Sequence, residues 1–150
     1  MPYHLPQDAL QAKFSLEFAI AGALVHDGVG FAELSDAVIR SAPIQRLMAL
    51  VRVETTAEFE PEWRDAAPYD QVSFVLDDGR LIESPQVRRA TGHADTPLGV
   101  EELRAKCLGC ARHAGVPQAA AGALFDTMQR IEQLGSVAEI ATITDRRDNA

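Results

Sequence analysis

The 150-residue chain has only two cysteines, Cys107 and Cys110, and only two lysines, Lys13 and Lys106. It also has no apolar run approaching the roughly 20 residues that cross a bilayer. Residues 18–25 carry no charge but stop well short of a span, and the first residues lack a basic stretch leading into an apolar one. Two cysteines are too few to staple a secreted domain of this length. These shortages predict a cytoplasmic chain with no membrane partner and no required disulfide. Positive charge is scarce as well: 14 basic against 22 acidic residues leave a net charge of −8, which repels a phosphate backbone and argues against nucleic acid as a partner. No Gly-rich phosphate loop, nucleophile elbow or His-Glu zinc motif is present, and no internal repeat.

What is there suits one ordinary domain. With 47% hydrophobic residues the chain can bury a core, which excludes disorder and fibrous repeats. Asp8 and Gln11 form a variant capping box that opens a helix over residues 10–25, and Asp27-Gly28 supplies its stop. Leu10, Phe14, Phe18, Ala21 and Val25 share one face, while Leu16, Ile20 and Leu24 carry apolar surface round the cylinder, so the spacing predicts a central helix. Its polar residues, Gln11, Lys13, Ser15 and Glu17, cluster in the first half, and that clustering is the first functional hint. A short helical stretch follows over residues 31–40, and Ser41 caps another in which Ile44, Leu47 and Val51 share a face.

The period then changes. Val51 and Val53 alternate with Arg52 and Glu54 as a first strand, and Val72, Phe74 and Leu76 alternate with polar neighbours as a second. Asp78-Gly79 predicts a type I′ hairpin turn, returning through residues 81–87 with Pro85 confining the later part to a sheet edge. Between the first two strands, residues 56–69 hold Glu58, Glu60, Glu62 and Asp65 and read as a surface loop without functional content. Helices return over residues 100–113 and 117–134, the second stopped by Gly135. Ser136 and Glu139 cap a final short helix, and residues 145–150 form a solvated tail. The expected fold is α+β, a single domain over residues 1–150 with a small antiparallel sheet of about three strands packed against several helices.

Three features could carry chemistry. Cys107 and Cys110 form a Cys-x-x-Cys with His113 three residues on, but Leu103, Cys107, Cys110 and Ala114 fall on one face of a helix already under way. Cys107 and His113 are about 240° apart around that helix and no second ligand pair lies nearby, so both cysteines read as shielded core and no metal is expected. Lys13 sits on the polar part of the apolar helix with Ser15 two residues on; the plainer alternative is a surface ion pair with Glu17 at i+4. His93 ends the locally basic run Arg88-Arg89-Ala90-Thr91-Gly92-His93, which could hold a carboxylate-bearing ligand or could be a solvated loop.

Several of these pieces occur together in a known order. Ala12-Lys13-Phe14-Ser15-Leu16 opens an Ala-rich helix ending at Asp27-Gly28, followed by residues 31–36 and 47–53. The strand through Val72, Phe74 and Leu76 enters Asp78-Gly79-Arg80, then come Gly92, Pro97-Leu98, Glu102-Leu103 and Lys106, and closing helices before Ala141. Over nearly the whole chain this order resembles the C-terminal domain of the MmgE/PrpD family. Phe18 departs from it, standing where many relatives have a tyrosine whose hydroxyl could donate to substrate. One extra residue precedes Asp27-Gly28, Gly99 replaces a serine helix cap, and Cys107 replaces a phenylalanine.

The family includes 2-methylcitrate dehydratase, cis-aconitate decarboxylase and iminodisuccinate epimerase, which act on small di- and tricarboxylates without metal or organic cofactor. The resemblance therefore implies proton transfer beside a carboxylate, needing a base, an acid and cations that hold the anionic substrate. It further implies a lid-type domain whose principal acid and base come from a preceding helical domain, absent from a chain that begins at Met1 just before the matching region. Lys13, Ser15 and His93 are the residues expected to face substrate. Such a chain is expected to be inactive alone, and to pair with a helical-domain partner or with itself as a homo-oligomer. The alternative is a non-catalytic remnant that serves as a self-associating or partner-binding module.

Overall fold

The computed structural model describes residues 2–61 and 66–144. Its helices are α1 (Ala9–Ala12), α2 (Leu16–His26), α3 (Asp36–Ile39), α4 (Ala42–Met48), α5 (Val100–His113), α6 (Gln118–Met128) and α7 (Ala138–Thr144), with a 3-10 turn at Ile131–Gln133. The two strands among the described residues, β1 (Ser73–Val75) and β2 (Leu81–Glu83), pair antiparallel. The architecture is α+β, and the chain divides into two compact units: Met1–Val53 together with Val100–Ala150, which holds all the helices, and Glu54–Gly99, which holds the hairpin. Within the described residues no helix is long and apolar enough to cross a membrane.

The long first helix is in fact two. Asp8 caps α1 by accepting the Gln11 N–H at 2.8 Å, and the Gln11 side chain reaches back to the Gln7 N–H at 3.0 Å, so the predicted cap forms one residue displaced on its return arm. The chain then tightens, with Phe14 N–H bonding Gln11 and Ser15 N–H bonding Ala12, and Ser15 adopts extended backbone. Its Oγ accepts the Phe18 N–H at 3.1 Å and restarts the helix as α2. Polar residues at 11, 13, 15 and 17 alternate with apolar ones; that period of two cannot keep one face buried along a continuous helix. Asp27 ends α2 in the left-handed conformation, φ 60°.

The core of this unit is a cluster of Ala12, Phe18, Ala21, Ile39, Ile44 and Met48, where α2 lies against α4 and α3 closes one side. Gly22 permits a close approach: a Cβ there would lie 2.6 Å from the Val29 side chain. Leu10 and Phe14, placed by spacing on the inner face, are exposed, as are Leu24 and Val25. In this chain α2 is thus covered on one side only. The helical stretch expected over residues 31–40 shrinks to α3, and α4 starts after Ser41 as expected although the Ser41 side chain makes no capping bond.

In the later helices α5 packs on α6, where Ala121, Gly122 and Phe125 are buried. Arg104 lies over the Phe125 ring at 5.4 Å and its Nη1 donates to Asp126. The face of α5 turned inward therefore runs through Arg104, Cys107, Leu108 and Ala111, all half-buried. This corrects the expected inner face: Cys107 is half-buried, Cys110 is exposed and neither is fully shielded. The misplacement is a rotation of about one residue, because Arg104 covers Phe125 with its stem and guanidinium and behaves as a core side chain. The helix expected to 134 ends at Met128, and the Ser136 and Glu139 side chains cap α7 reciprocally.

In the second unit the hairpin forms where Asp78-Gly79 predicts it, in the register Ser73↔Glu83, Phe74↔Ile82, Val75↔Leu81. The turn differs. The Gly79 N–H bonds Leu76 and the Leu76 N–H bonds Arg80, each at 2.9 Å, and only Gly79 has positive φ, +82°. This is a three-residue loop with glycine in a bulge; Asp78 keeps an ordinary backbone and instead accepts the Arg80 N–H, which with the Arg80 side chain holds its carboxyl below the usual range. The strand expected at Val51 and Val53 does not form: among the described residues no segment pairs with it. The sheet therefore has two strands among the described residues, not three. Val87 bridges Asp70 beyond Pro85, one residue out of register with the main ladder. Glu62 and Asp65 of the acidic loop and the tail over residues 145–150 lie outside the described residues.

Candidate functional site

The sequence candidates fall into two clusters, one in each unit. Lys13 and Ser15 come together at the corner between α1 and α2. Lys13 caps the end of α1 with its backbone, and its side chain is exposed with no ion-pair partner among the described residues. Ser15 is buried, and its hydroxyl is spent twice, accepting the Phe18 N–H and donating to Glu17 Oε2 at 3.3 Å. It shapes the corner and leaves Lys13 as the cation displayed there. The break between α1 and α2 also removes the i, i+4 geometry that would pair Lys13 with Glu17.

Glu17 has a different partner. Its carboxylate is buried in the first turn of α2 and meets His4 Nδ1 at 2.5 Å, which ties the N-terminal segment onto the corner. Burial alone would push this carboxyl up, but the bonds from His4, its own backbone and Ser15 prevail and hold it below its ordinary value of 4.5. A depressed folded-state pKa contributes stability that is present above the unfolded value and disappears as pH falls through the folded one. Acid unfolding of the intact chain should therefore steepen below pH 4.5, and His4→Ala should raise the Glu17 carboxyl titration followed by NMR. A Glu17 titration unmoved by His4→Ala would refute the latch.

His93 sits in the other unit, in a closed loop. Gly92, at φ +98°, sends its N–H to Thr96 at 2.8 Å, and the Thr96 hydroxyl donates to the Ala90 carbonyl at 2.8 Å. The Asp95 N–H donates to His93 Nδ1 at 3.1 Å, and Asp95 Oδ2 lies 3.5 Å from the same nitrogen, so Asp95 fixes the ring in the loop. Arg89 anchors the loop, its Nη1 3.6 Å from Glu60 Oε2 and its Nε 3.8 Å from Asp95 Oδ2. Glu60 is 9% exposed, which corrects the reading of its loop as mere surface: one of its carboxylates is a buried anchor for the His93 loop. Nothing in the sequence separates Glu60 from its acidic neighbours. Arg89, by contrast, lay within the basic run already singled out. Among the described residues no group of three or more His, Cys, Asp or Glu is placed to hold a metal.

Phe18, the departure noted in the sequence, is fully buried in the helical core. The profile of the MmgE/PrpD C-terminal domain matches residues 3–132, across both units, and the chain belongs to the MmgE/PrpD family. No individually curated protein matches it.

Proposed function

We propose that this chain works as the lid-type C-terminal domain of a cytoplasmic, cofactor-independent lyase or isomerase that acts on small di- or tricarboxylates by proton transfer next to a carboxylate. Membership of the MmgE/PrpD family over residues 3–132 carries the reading. In it, Lys13 holds a substrate carboxylate, His93 contacts substrate from its loop, and Ser15 keeps the corner that displays Lys13. The principal acid and base come from a helical-domain partner. Exposed Leu10, Phe14, Leu24 and Val25 support the presence of a docking partner, and equally support a second reading in which the chain self-associates without catalysis.

The test is an assay on 2-methylcitrate, cis-aconitate and iminodisuccinate, with residues 1–150 alone and after co-expression with a helical domain of the family. No turnover is expected alone and turnover on one of the three is expected with the partner. Lys13→Met should then lower kcat/KM by about 10²-fold or more, the size seen when one preorganised charge-stabilising group is removed. Turnover by residues 1–150 alone, or indifference to Lys13→Met, would overturn the assignment. A stable oligomer that never takes up the helical domain would favour the second reading.

A further inference from the structure

A cleft of about 770 Å³ opens in the helical unit between residues 29–34 and one face of α5. None of Lys13, Ser15 or His93 lines it. Its apolar wall is Val29, Phe31 and Leu34, and the Phe31 ring stacks on His113 with centroids 4.4 Å apart and planes 14° from parallel. On the α5 side Ala105 and Gly109 form a low floor, and Lys106, Cys110 and Arg112 stand at its margin. Glu33, the acid present, has a carboxylate oxygen engaged by the Gly30 N–H at 2.8 Å. Neither Lys106 nor Arg112 is in an ion pair among the described residues. Two cations against one carboxylate give the lining a local positive excess beside an apolar wall, in a chain of net charge −8.

Gly109 is the second, independent observation. It lies inside a 14-residue helix, where glycine costs stability relative to alanine, and its φ is not in the left-handed region. A Cβ built there meets no atom within 4 Å, so neither packing nor backbone conformation requires glycine. What the missing side chain leaves is room on the floor of the cleft.

We propose that this cleft binds a small organic monoanion with an apolar body, a carboxylate carried on an aromatic or branched aliphatic group. The carboxylate is held by Lys106, with Arg112 as a second cation lining the same cleft, and the body lies over Gly109 against Phe31. Both features are needed: the cations alone would take any anion, and the apolar wall alone any hydrophobe. The inference does not rest on the lyase or isomerase reading, and either can fail without the other.

The probe is 3-phenylpropanoate, compared with its uncharged amide, on the full chain. Binding is read from the His113 ring resonances and from the rate at which iodoacetamide labels Cys110, resolved from Cys107 by peptide mass. Saturable shifts at His113 and slowed labelling of Cys110 are expected with the carboxylate. The amide should bind about tenfold more weakly, the factor that loss of a charge-assisted hydrogen bond brings. Lys106→Met should weaken the carboxylate to a similar degree, and Gly109→Leu should abolish binding with helix content unchanged. If Gly109→Leu fails to fold, Lys106→Met still decides. Equal binding of carboxylate and amide, no effect on Cys110, or undiminished binding to Lys106→Met would overturn the proposal. So would protection of Cys110 that rises with protein concentration in the absence of ligand, which would make a second copy the occupant.

Discussion

Phe18→Ala is expected to lower the stability of the helical unit by about 3–5 kcal/mol, the range for emptying a buried aromatic site. The ring is fully buried at the centre of the one cluster that joins α1, α2, α3 and α4. Its neighbours are poorly placed to collapse into the void, because Ala12 and Ala21 are already small and Ile39, Ile44 and Met48 are fixed by their own helices. Domains of this size have only about 5–15 kcal/mol in total, so a large share of the folded population should be lost. Urea denaturation followed by far-UV circular dichroism measures it, as a lower midpoint at unchanged slope. A loss under about 1 kcal/mol would mean that the ring contributes little to the core. Phe18→Tyr separates volume from polarity: the ring fits, but a hydroxyl placed in this apolar cluster needs a partner, and without one the cost is about 1–3 kcal/mol. A variant as stable as the parent would show that the hydroxyl escapes to solvent or to another chain at this position.

The parts of the fold that were legible are those decided by local chemistry. Asp8 and Gln11 mark a helix start because a carboxylate and an amide three residues apart can satisfy orphan N–H groups whatever surrounds them. Asp78-Gly79 marks a hairpin for a similar reason, although the turn type depends on loop length, and a three-residue loop needs positive φ only at Gly79. The break at Ser15 was harder, because apolar residues continue at helical spacing through it; only the alternation of Gln11, Lys13, Ser15 and Glu17 betrays it. Long-range choices were not legible. Nothing local tells Glu60 from Glu58 or predicts that Arg104 will lie on Phe125 and turn α5 so that Cys110 faces out. The same holds for Glu17, whose partner His4 is 13 residues away. Of the candidate site, Lys13 and His93 were readable as residue types in unusual settings, whereas the groups that orient them are fixed by tertiary contacts alone.

Removing the Arg89 side chain should have the largest effect in the second unit. Among the described residues the buried hydrophobic ones all belong to the helical unit, and within residues 54–99 the one buried side chain described is the charged Glu60. A two-stranded hairpin is marginal by itself, and here β2 is exposed along its whole length. The unit therefore depends on polar fastening, and Arg89 is its centre, near Glu60 on one side and Asp95 on the other with only 19% of its side chain exposed. Arg89→Ala leaves the Glu60 carboxylate buried without that cation, at a cost of about 1–3 kcal/mol. Against a hairpin with little apolar support, that is enough to open the His93 loop. Hydrogen exchange should report it directly. In the parent chain the amides of Leu76, Ser84 and Val87 should already exchange faster than those of Ala21 and Met48, and in Arg89→Ala the Gly92 and Thr96 amides should lose protection while the helical unit keeps its own. Arg89→Lys should recover part of the protection, because it restores the charge without the planar fork. Protection at Gly92 and Thr96 that survives Arg89→Ala would mean that the loop is held by its own hydrogen bonds, and that Glu60 needs no cation to stay buried.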